Sequence, residues 1–132
     1  MSSKHEESNE QQSLIKWARL SRTKYPGLER MFHIPNGQLL GGTGVQRIRR
    51  GARLKAEGLQ AGVPDLFLPV PIAPYSGLFI EMKRKKGGRL SKEQKDWCEW
   101  LPTAGYRLAV CNGFLEAKAV IKDYYGESND PA

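Results

Sequence analysis

The chain has 132 residues, of which 39% are hydrophobic and 27% charged, a balance that fits one compact domain with its own core. The formal net charge of +7 favours a polyanionic partner, and nucleic acid is the commonest of these. Two cysteines, Cys98 and Cys111, form no C-x-x-C pair, so a zinc site is not expected.

Targeting and membrane segments are not expected from this sequence. The first ten residues are polar and lack the apolar stretch of a signal peptide. No apolar run approaches the length of a membrane span. These features predict a soluble, intracellular, cytoplasmic protein of a bacterium or a phage-infected cell, with no membrane partner.

The predicted architecture is α/β, with helices packed on a small mixed sheet. Polar residues at 1–8 and 126–132 predict flexible tails on either side of a folded domain over residues 9–125. In chain order the predicted elements are a helix over Asn9–Lys24, a strand over Arg30–Ile34, a basic helix over Val45–Glu57, strands over Asp65–Val70 and Leu78–Lys83, a helix opened by Ser91 and ended by Gly105 at the latest, a strand over Tyr106–Val110 and a helix over Phe114–Tyr125.

Apolar residues at helical spacing predict which side of each helix is buried. For Trp97 and Trp100 this spacing favours a core position over stacking on nucleic-acid bases. The predicted inner faces, in chain order, are Leu14, Trp17, Ala18 and Ser21; Val45, Ile48 and Ala52; Trp97, Trp100, Leu101 and Ala104; and Phe114, Ala117, Ile121 and Tyr124.

The predicted chemistry lies in two segments, GVPD at 62–65 and FIEMK at 79–83. Alternate side chains of a strand face the same way, so Glu81 and Lys83 share one face and the apolar residues between them point to the core. If the two strands form a hairpin, Asp65 lies within reach of Glu81. Two adjacent carboxylates repel, and Mg²⁺ suits them because it binds one or two carboxylates and keeps its waters.

A metal at this place would lower the pKa of a bound water and offset charge on a phosphoryl transition state. Lys83 could then position or help deprotonate the attacking water, and stabilise the developing charge. The backbone carbonyl of Met82 would lie near the same metal. The segments therefore predict a metal site that acts on a phosphate group of its substrate.

Proline-aspartate, a spacer and E-x-K resemble the signature of the PD-(D/E)xK nuclease superfamily, and over residues 9–125 the chain more closely resembles a VRR-NUC (virus-type replication-repair nuclease) domain. The resemblance is carried by Glu10-Gln11 with Trp17, FHIPNG at 32–37, GARLK at 51–55, GVPDL at 62–66, FIEMK at 79–83, GRLSKEQ at 88–94 and AGYRLAVC at 104–111.

This resemblance implies a restriction-endonuclease-like core and DNA phosphodiester hydrolysis with Mg²⁺ or Mn²⁺. It implies metal ligation by Asp65 and Glu81, and Lys83 as the catalytic lysine. Glu10 would be the first-helix acid that completes the acidic cluster, and Gln94 matches a family position near the site.

Some of these residues have ordinary structural interpretations. An acid such as Glu10 in a first helical turn also stabilises the helix through its dipole. Gln94 fits a capping box with Ser91, and we expect one residue to serve site and cap only by switching between them. A histidine–metal nuclease built on His33 and Asn36 lacks a second ordered histidine, so His33 is predicted as a strand residue near the cleft.

Two dense basic clusters flank the predicted site and are typical of a surface that grips phosphates. No base-reading motif is visible, so recognition of DNA shape rather than sequence is expected. The clusters are Arg47, Arg49, Arg50, Arg53 and Lys55 on the basic helix, and Arg84, Lys85, Lys86 and Arg89 after the catalytic strand.

The sequence thus predicts a metal-dependent, structure-specific DNA endonuclease. The resemblance implies branched substrates such as four-way (Holliday) junctions or flaps, in repair or recombination, and the small single domain suits a phage or prophage. A four-way junction has near two-fold symmetry, which favours a homodimer. Two alternatives stay open: another flap, repair or restriction-type nuclease of the same superfamily, and a non-catalytic basic DNA-binding module.

Overall fold

A computed structural model describes residues 3–35 and 43–127, with side chains described from Glu6 onward. The elements are helix α1 (Ser3–Leu20), a short 3-10 helix (Leu28–Arg30), strand β1 (Phe32–His33), helix α2 (Gly44–Ala56), strands β2 (Leu66–Leu68) and β3 (Leu78–Lys83), helix α3 (Lys92–Thr103), strand β4 (Arg107–Asn112) and helix α4 (Phe114–Tyr124). The predicted α/β architecture is confirmed.

The four strands form one mixed sheet in the order β1-β2-β3-β4. The pairs β1–β2 and β2–β3 are antiparallel, and Leu66 lies opposite Ile80 as the predicted hairpin requires. Helix α3 crosses back over the sheet, so β4 runs parallel to β3 and Lys83 lies beside Asn112. The end of β3 that carries Glu81 and Lys83 is therefore held between two neighbouring strands or their extensions.

One face of the sheet carries the hydrophobic core, because alternate residues of β2 and β3 are apolar. These side chains pack with the apolar stripes of α1 and α4, which the sequence predicted correctly in both helices. The fully or almost fully buried core residues include Leu14, Ala18, Leu66, Leu68, Leu78, Ile80, Met82, Ala117, Ile121 and Tyr124.

The opposite face of the sheet carries a row of aromatic rings. Phe67 contacts Phe32, Phe79 and Tyr106, with ring centroids 4.4 to 5.9 Å apart. Glu81 and Lys83 lie two and four residues after Phe79 in β3, so they belong to this same face. The candidate chemistry is therefore on the side of the sheet away from the core.

Described residues of both predicted tails contact the folded domain. Helix α1 begins at Ser3 rather than Asn9, because the carboxylates of Glu6 and Glu7 accept backbone N–H groups from the turn after β3. At the other end, Glu127 accepts the hydroxyl hydrogen of Tyr25 and lies 3.6 Å from the ammonium of Lys24.

The predicted inner faces of α2 and α3 were largely wrong. No residue of α2 is buried, and Ile48 is 73% exposed; a capping box at Thr43 helps to hold the helix instead. In α3 only Leu101 is buried, and Trp100 is 55% exposed. Helix α3 lies against the edge strand β4, and only part of its apolar stripe is covered there. Among the described residues, no helix is both long and apolar enough to cross a membrane.

Candidate active site

Asp65 and Glu81 meet where the ladder between β2 and β3 ends. The backbone N–H of Asp65 donates to Glu81 Oε2 at 3.2 Å, and the backbone N–H of Met82 donates to Asp65 Oδ2 at 2.8 Å. These two backbone N–H groups lie just beyond the paired residues of β2 and β3, so each carboxylate takes the place of the carbonyl that would accept in a longer sheet. The hairpin brings the two predicted carboxylates together, as its register required.

Lys83 is held on the same face by two partners. Its ammonium lies 3.8 Å from Glu81 Oε1 and donates to Gln94 Oε1 at 3.1 Å. The Gln94 amide nitrogen in turn donates to Glu81 Oε1, which closes a ring of three side chains. The lysine side chain remains 13% exposed, so its ammonium is oriented by the protein and still reaches the surface.

Gln94 also caps helix α3 while it holds this ring. Its Oε1 accepts the backbone N–H of Ser91 at 2.7 Å, and Ser91 Oγ accepts the backbone N–H of Gln94 at 3.1 Å. The expectation that site and cap exclude each other was therefore wrong. A carbonyl oxygen has two acceptor positions, and the amide nitrogen is left to donate elsewhere.

Glu81 is the one buried charged residue in the described part of the chain, with 2% of its surface exposed. Burial, and after it the negative charge of Asp65, raises the pKa of Glu81 to about 8, although Lys83 acts in the opposite direction. A carboxyl in this environment favours either a proton or a second cation. The arrangement is thus suited to a divalent cation beside the pair.

The raised pKa of Glu81 predicts a specific pH dependence of stability. The folded chain keeps a proton that the unfolded chain releases, so this contribution is fully present below about pH 4.5 and is lost as the pH rises through about 8. In EDTA we expect the free energy of unfolding of the wild type, measured in urea, to fall across this window by on the order of 5 kcal/mol relative to that of Glu81→Gln.

The control for this pH dependence is Glu93→Gln, which neutralises an exposed glutamate of α3. It should follow the wild-type curve. Parallel curves for the wild type and Glu81→Gln would show that Glu81 titrates at an ordinary pKa, and would remove the argument for a cation at this carboxylate.

The donors around the pair fit a hard divalent cation with several waters. Asp65 and Glu81 offer two carboxylates, which is the number Mg²⁺ commonly takes from a protein. The N–H of Met82 points toward Asp65, and the carbonyl of a strand residue projects to the same edge as its N–H. The carbonyl of Met82 therefore points to the side of β3 on which Asp65 lies, and its role as a metal ligand stays a prediction. In the described part of the chain, no three His, Cys, Asp or Glu side chains form a ready metal cage.

Glu10 does not join Asp65 and Glu81 in a three-carboxylate group. Its Oε1 lies 3.4 Å from the ammonium of Lys85 and 3.4 Å from the backbone nitrogen of Phe114. These two partners hold the carboxylate at the start of α4. The predicted completion of the acidic cluster is thus not seen in this geometry, and the role of Glu10 as a metal ligand stays a prediction.

His33 lies beside the site, as predicted. Its Nδ1 is 3.0 Å from the carbonyl oxygen of Asp65, which also accepts the backbone N–H of Ile34 at 2.7 Å. These contacts fix the backbone that carries the Asp65 carboxylate. Asn36, the other residue of that hypothesis, lies outside the described residues.

Gly62 supports the site and was missed as a functional residue. Its φ of +88° is a left-handed conformation, and a Cβ there would lie 2.4 Å from the carbonyl carbon of Glu93. The loop before Asp65 therefore touches the first turn of α3, which presents Gln94. The only signal in the sequence was the glycine within GVPD.

The two basic clusters differ in how much of their charge is available. Arg84 donates to the carbonyl of Gly87 at 3.1 Å, and Lys85 pairs with Glu10, so both contribute contacts within the protein. On α2, Arg53 lies 3.8 Å from Glu57 across one helical turn. The cations of α2 line a largely exposed helix, and their role in DNA binding stays a prediction.

Comparisons with known proteins agree with the fold. The VRR-NUC domain family model matches residues 4–115. A solved structure described as a VRR_NUC domain protein is similar at a TM-score of 0.74 and 27% identity, covering 92% of this chain and 90% of that chain. No curated protein matches the chain significantly. Since the family model covers most of the chain and the fold agrees, the protein belongs to the VRR-NUC domain family, a family of nucleases.

Proposed function

We propose that this protein is a metal-dependent endonuclease that hydrolyses DNA phosphodiester bonds. The observation that carries the proposal is the joint position of Asp65, Glu81 and Lys83, with Gln94 joining the last two. A surface that only binds phosphate gains nothing from a buried glutamate next to a second carboxylate. Such a pair is useful where a cation and a reacting water must be placed.

Asp65, Glu81 and the carbonyl of Met82 would hold Mg²⁺ or Mn²⁺ in this proposal. The bound ion would supply an activated water and offset negative charge on the phosphoryl group. The Lys83 ammonium is directed by Glu81 and Gln94, and it stabilises charge that develops on the phosphate oxygens during hydrolysis. Gln94 fixes the relative positions of carboxylate and ammonium.

We expect the positioning role of Gln94 to be separable from its capping role. Ser91→Ala removes a cap acceptor and should cost about 1 kcal/mol of stability with little change in kcat. Gln94→Ala removes the other cap acceptor, Gln94 Oε1, and also the contacts to Lys83 and Glu81. It should lower kcat about tenfold while KM changes less. Urea unfolding and steady-state kinetics on one substrate measure both. Equal loss of kcat in the two variants would mean that Gln94 only stabilises α3.

Branched DNA is the substrate class that we propose, on the family resemblance and the absence of any base-reading motif in the sequence. The net charge of +7 supports binding through phosphates, which reads the shape of DNA rather than its sequence. A four-way junction needs two coordinated cuts related by near two-fold symmetry. A homodimer with two sites would match that symmetry.

The test of the proposal is cleavage of a labelled immobile four-way junction, a flap and a linear duplex of the same sequence. Wild type, Lys83→Ala and Lys95→Ala are compared in Mg²⁺, Mn²⁺ or EDTA, because Lys95 is an exposed lysine of the same helix as Gln94. We expect paired, symmetric nicks in the junction that need the metal, vanish in Lys83→Ala and persist in Lys95→Ala.

Other outcomes separate the parts of the proposal. Cleavage of the flap or duplex in place of the junction would keep the nuclease and remove the junction specificity. Salt-sensitive binding without cleavage in either metal would favour a DNA-binding module. Sedimentation equilibrium at the assay concentration tests the dimer, and a monomer that nicks a junction on one strand would contradict it.

A further inference from the structure

The Lys83 side chain lines two open clefts. One has a volume of about 590 Å³ and is lined by Gly62, Lys83, Arg89 and Gln94, among others. The second has a volume of about 560 Å³ and is lined by Glu7, Lys83, Gly88 and Arg89, among others. The two clefts share only Lys83 and Arg89. A nucleic-acid strand that runs from one cleft into the other must therefore pass both cations.

Arg89 lines both clefts, and the fold leaves its side chain available. Neighbouring Arg84 and Lys85 are engaged by the carbonyl of Gly87 and the carboxylate of Glu10. Arg89 is exposed, and within residues 3–35 and 43–127 its guanidinium makes no hydrogen bond or ion pair. An unpaired guanidinium at the boundary of two open clefts is suited to a phosphodiester, which it can bind in bidentate fashion.

The charge that lines the clefts agrees with a backbone path. Lys83, Arg84 and Arg89 outnumber Glu7 in one cleft, and Lys83 and Arg89 outnumber Glu93 in the other. Glu7 is itself occupied, since it accepts the backbone N–H of Arg84. Each cleft therefore presents a net positive lining to a strand whose charge lies on its phosphates.

We propose that Arg89 and Lys83 bind the same phosphodiester group of a DNA strand, with the nucleotides before and after that group lying in the two clefts. This inference rests on the proposed nuclease function in one respect. If Lys83 is the catalytic lysine, the phosphate that it shares with Arg89 is the one that is cut. It distinguishes Arg89 from the other cations of its turn. Lys86 lines neither cleft and would contribute only general attraction.

The test is a phosphate scan of a labelled DNA strand in EDTA, in which one phosphate at a time is replaced by an uncharged methylphosphonate. Binding is measured by fluorescence anisotropy for wild type, Lys83→Gln, Arg89→Gln, Lys86→Gln and Arg22→Gln. Arg22 is an exposed arginine beyond the far end of α1, and its change removes the same charge. Circular dichroism checks that each variant is folded.

We expect Arg89→Gln to bind about tenfold more weakly than wild type and to lose about one unit of salt slope. Replacement of one particular phosphate should weaken binding by the wild type, by Lys86→Gln and by Arg22→Gln. The same replacement should have a smaller effect in Lys83→Gln and in Arg89→Gln than in the wild type, because each variant lacks one of the two charges that contact this phosphate and keeps the other. Arg89→Lys should recover part of the loss.

Three outcomes would overturn the proposal. The replacement effect could be reduced at different phosphates in the Lys83 and Arg89 variants, binding could weaken uniformly along the strand, or Lys86→Gln could lose as much affinity as Arg89→Gln. The scan needs no cleavage, so it stands apart from the nuclease test. If the wild type cuts DNA and Arg89→Gln binds normally, only the role of Arg89 is contradicted. If the scan shows a shared phosphate and the protein cuts no DNA, the binding site stands and the nuclease function is contradicted.

Discussion

The Asp65→Asn variant is expected to lose about a thousandfold in DNA cleavage and to unfold at the same temperature as the wild type or higher. Asparagine keeps a side-chain oxygen that can accept the Met82 N–H, now 2.8 Å from Asp65 Oδ2. It removes the charge that helps to raise the pKa of Glu81, so this pKa should fall in the variant. The site would lose a proposed ligand while the fold loses a repulsion.

Cleavage rates of labelled DNA and thermal unfolding in EDTA measure the two halves of this prediction. Asp96→Asn makes the same acid-to-amide change at an exposed position of α3 and should alter neither. If Asp65→Asn cleaves DNA at the wild-type rate, Asp65 is not a ligand of the proposed metal site. A large drop in its melting temperature would instead show that Asp65 acts chiefly as a structural acceptor for Met82.

The Gly62→Ala variant is expected to lose about 3 kcal/mol of stability, and most of its cleavage activity with it. A methyl group at this position would lie 2.4 Å from the backbone carbon and 2.6 Å from the backbone oxygen of Glu93. Backbone cannot move aside as a flexible side chain can, so the loop before Asp65 and the first turn of α3 must separate. That movement would pull Gln94 from Lys83 and Glu81.

Gly58→Ala is the matched control for this steric effect. Gly58 also has a positive φ, +112°, but an added Cβ would meet nothing within 4 Å. It should cost only the left-handed backbone term of about 1 kcal/mol. Urea unfolding of both variants gives the difference, and a Gly62→Ala variant no less stable than Gly58→Ala would contradict the close approach.

The parts of the site that could be predicted from sequence are those that depend on a strand's alternation. Glu81 and Lys83 alternate with buried residues of β3, and hairpin pairing of adjacent strands places Asp65 next to Glu81. Both rules act over a few residues and hold whatever surrounds them. For this reason the position of these three residues could be read before the fold was known.

The contacts of Gln94, Glu10 and α2 could not be derived from local residue spacing, because they depend on how distant elements pack. The capping box at Ser91 was visible, but the placement of Gln94 against Lys83 depends on where α3 crosses the sheet. Glu10 is held by Lys85, a partner far along the chain. Helical spacing indicated an inner face for α2 and cannot tell whether anything lies opposite that face.

The exposure of α2 has a consequence for local dynamics. An isolated helix of this length is marginal in water, and α2 buries none of its 13 residues, so little free energy opposes its opening. Its amide hydrogens should exchange with solvent far sooner than those of β3. The basic helix can therefore unwind and re-form while the sheet and the carboxylate pair stay intact, and any DNA that it contacts must supply the free energy that orders it.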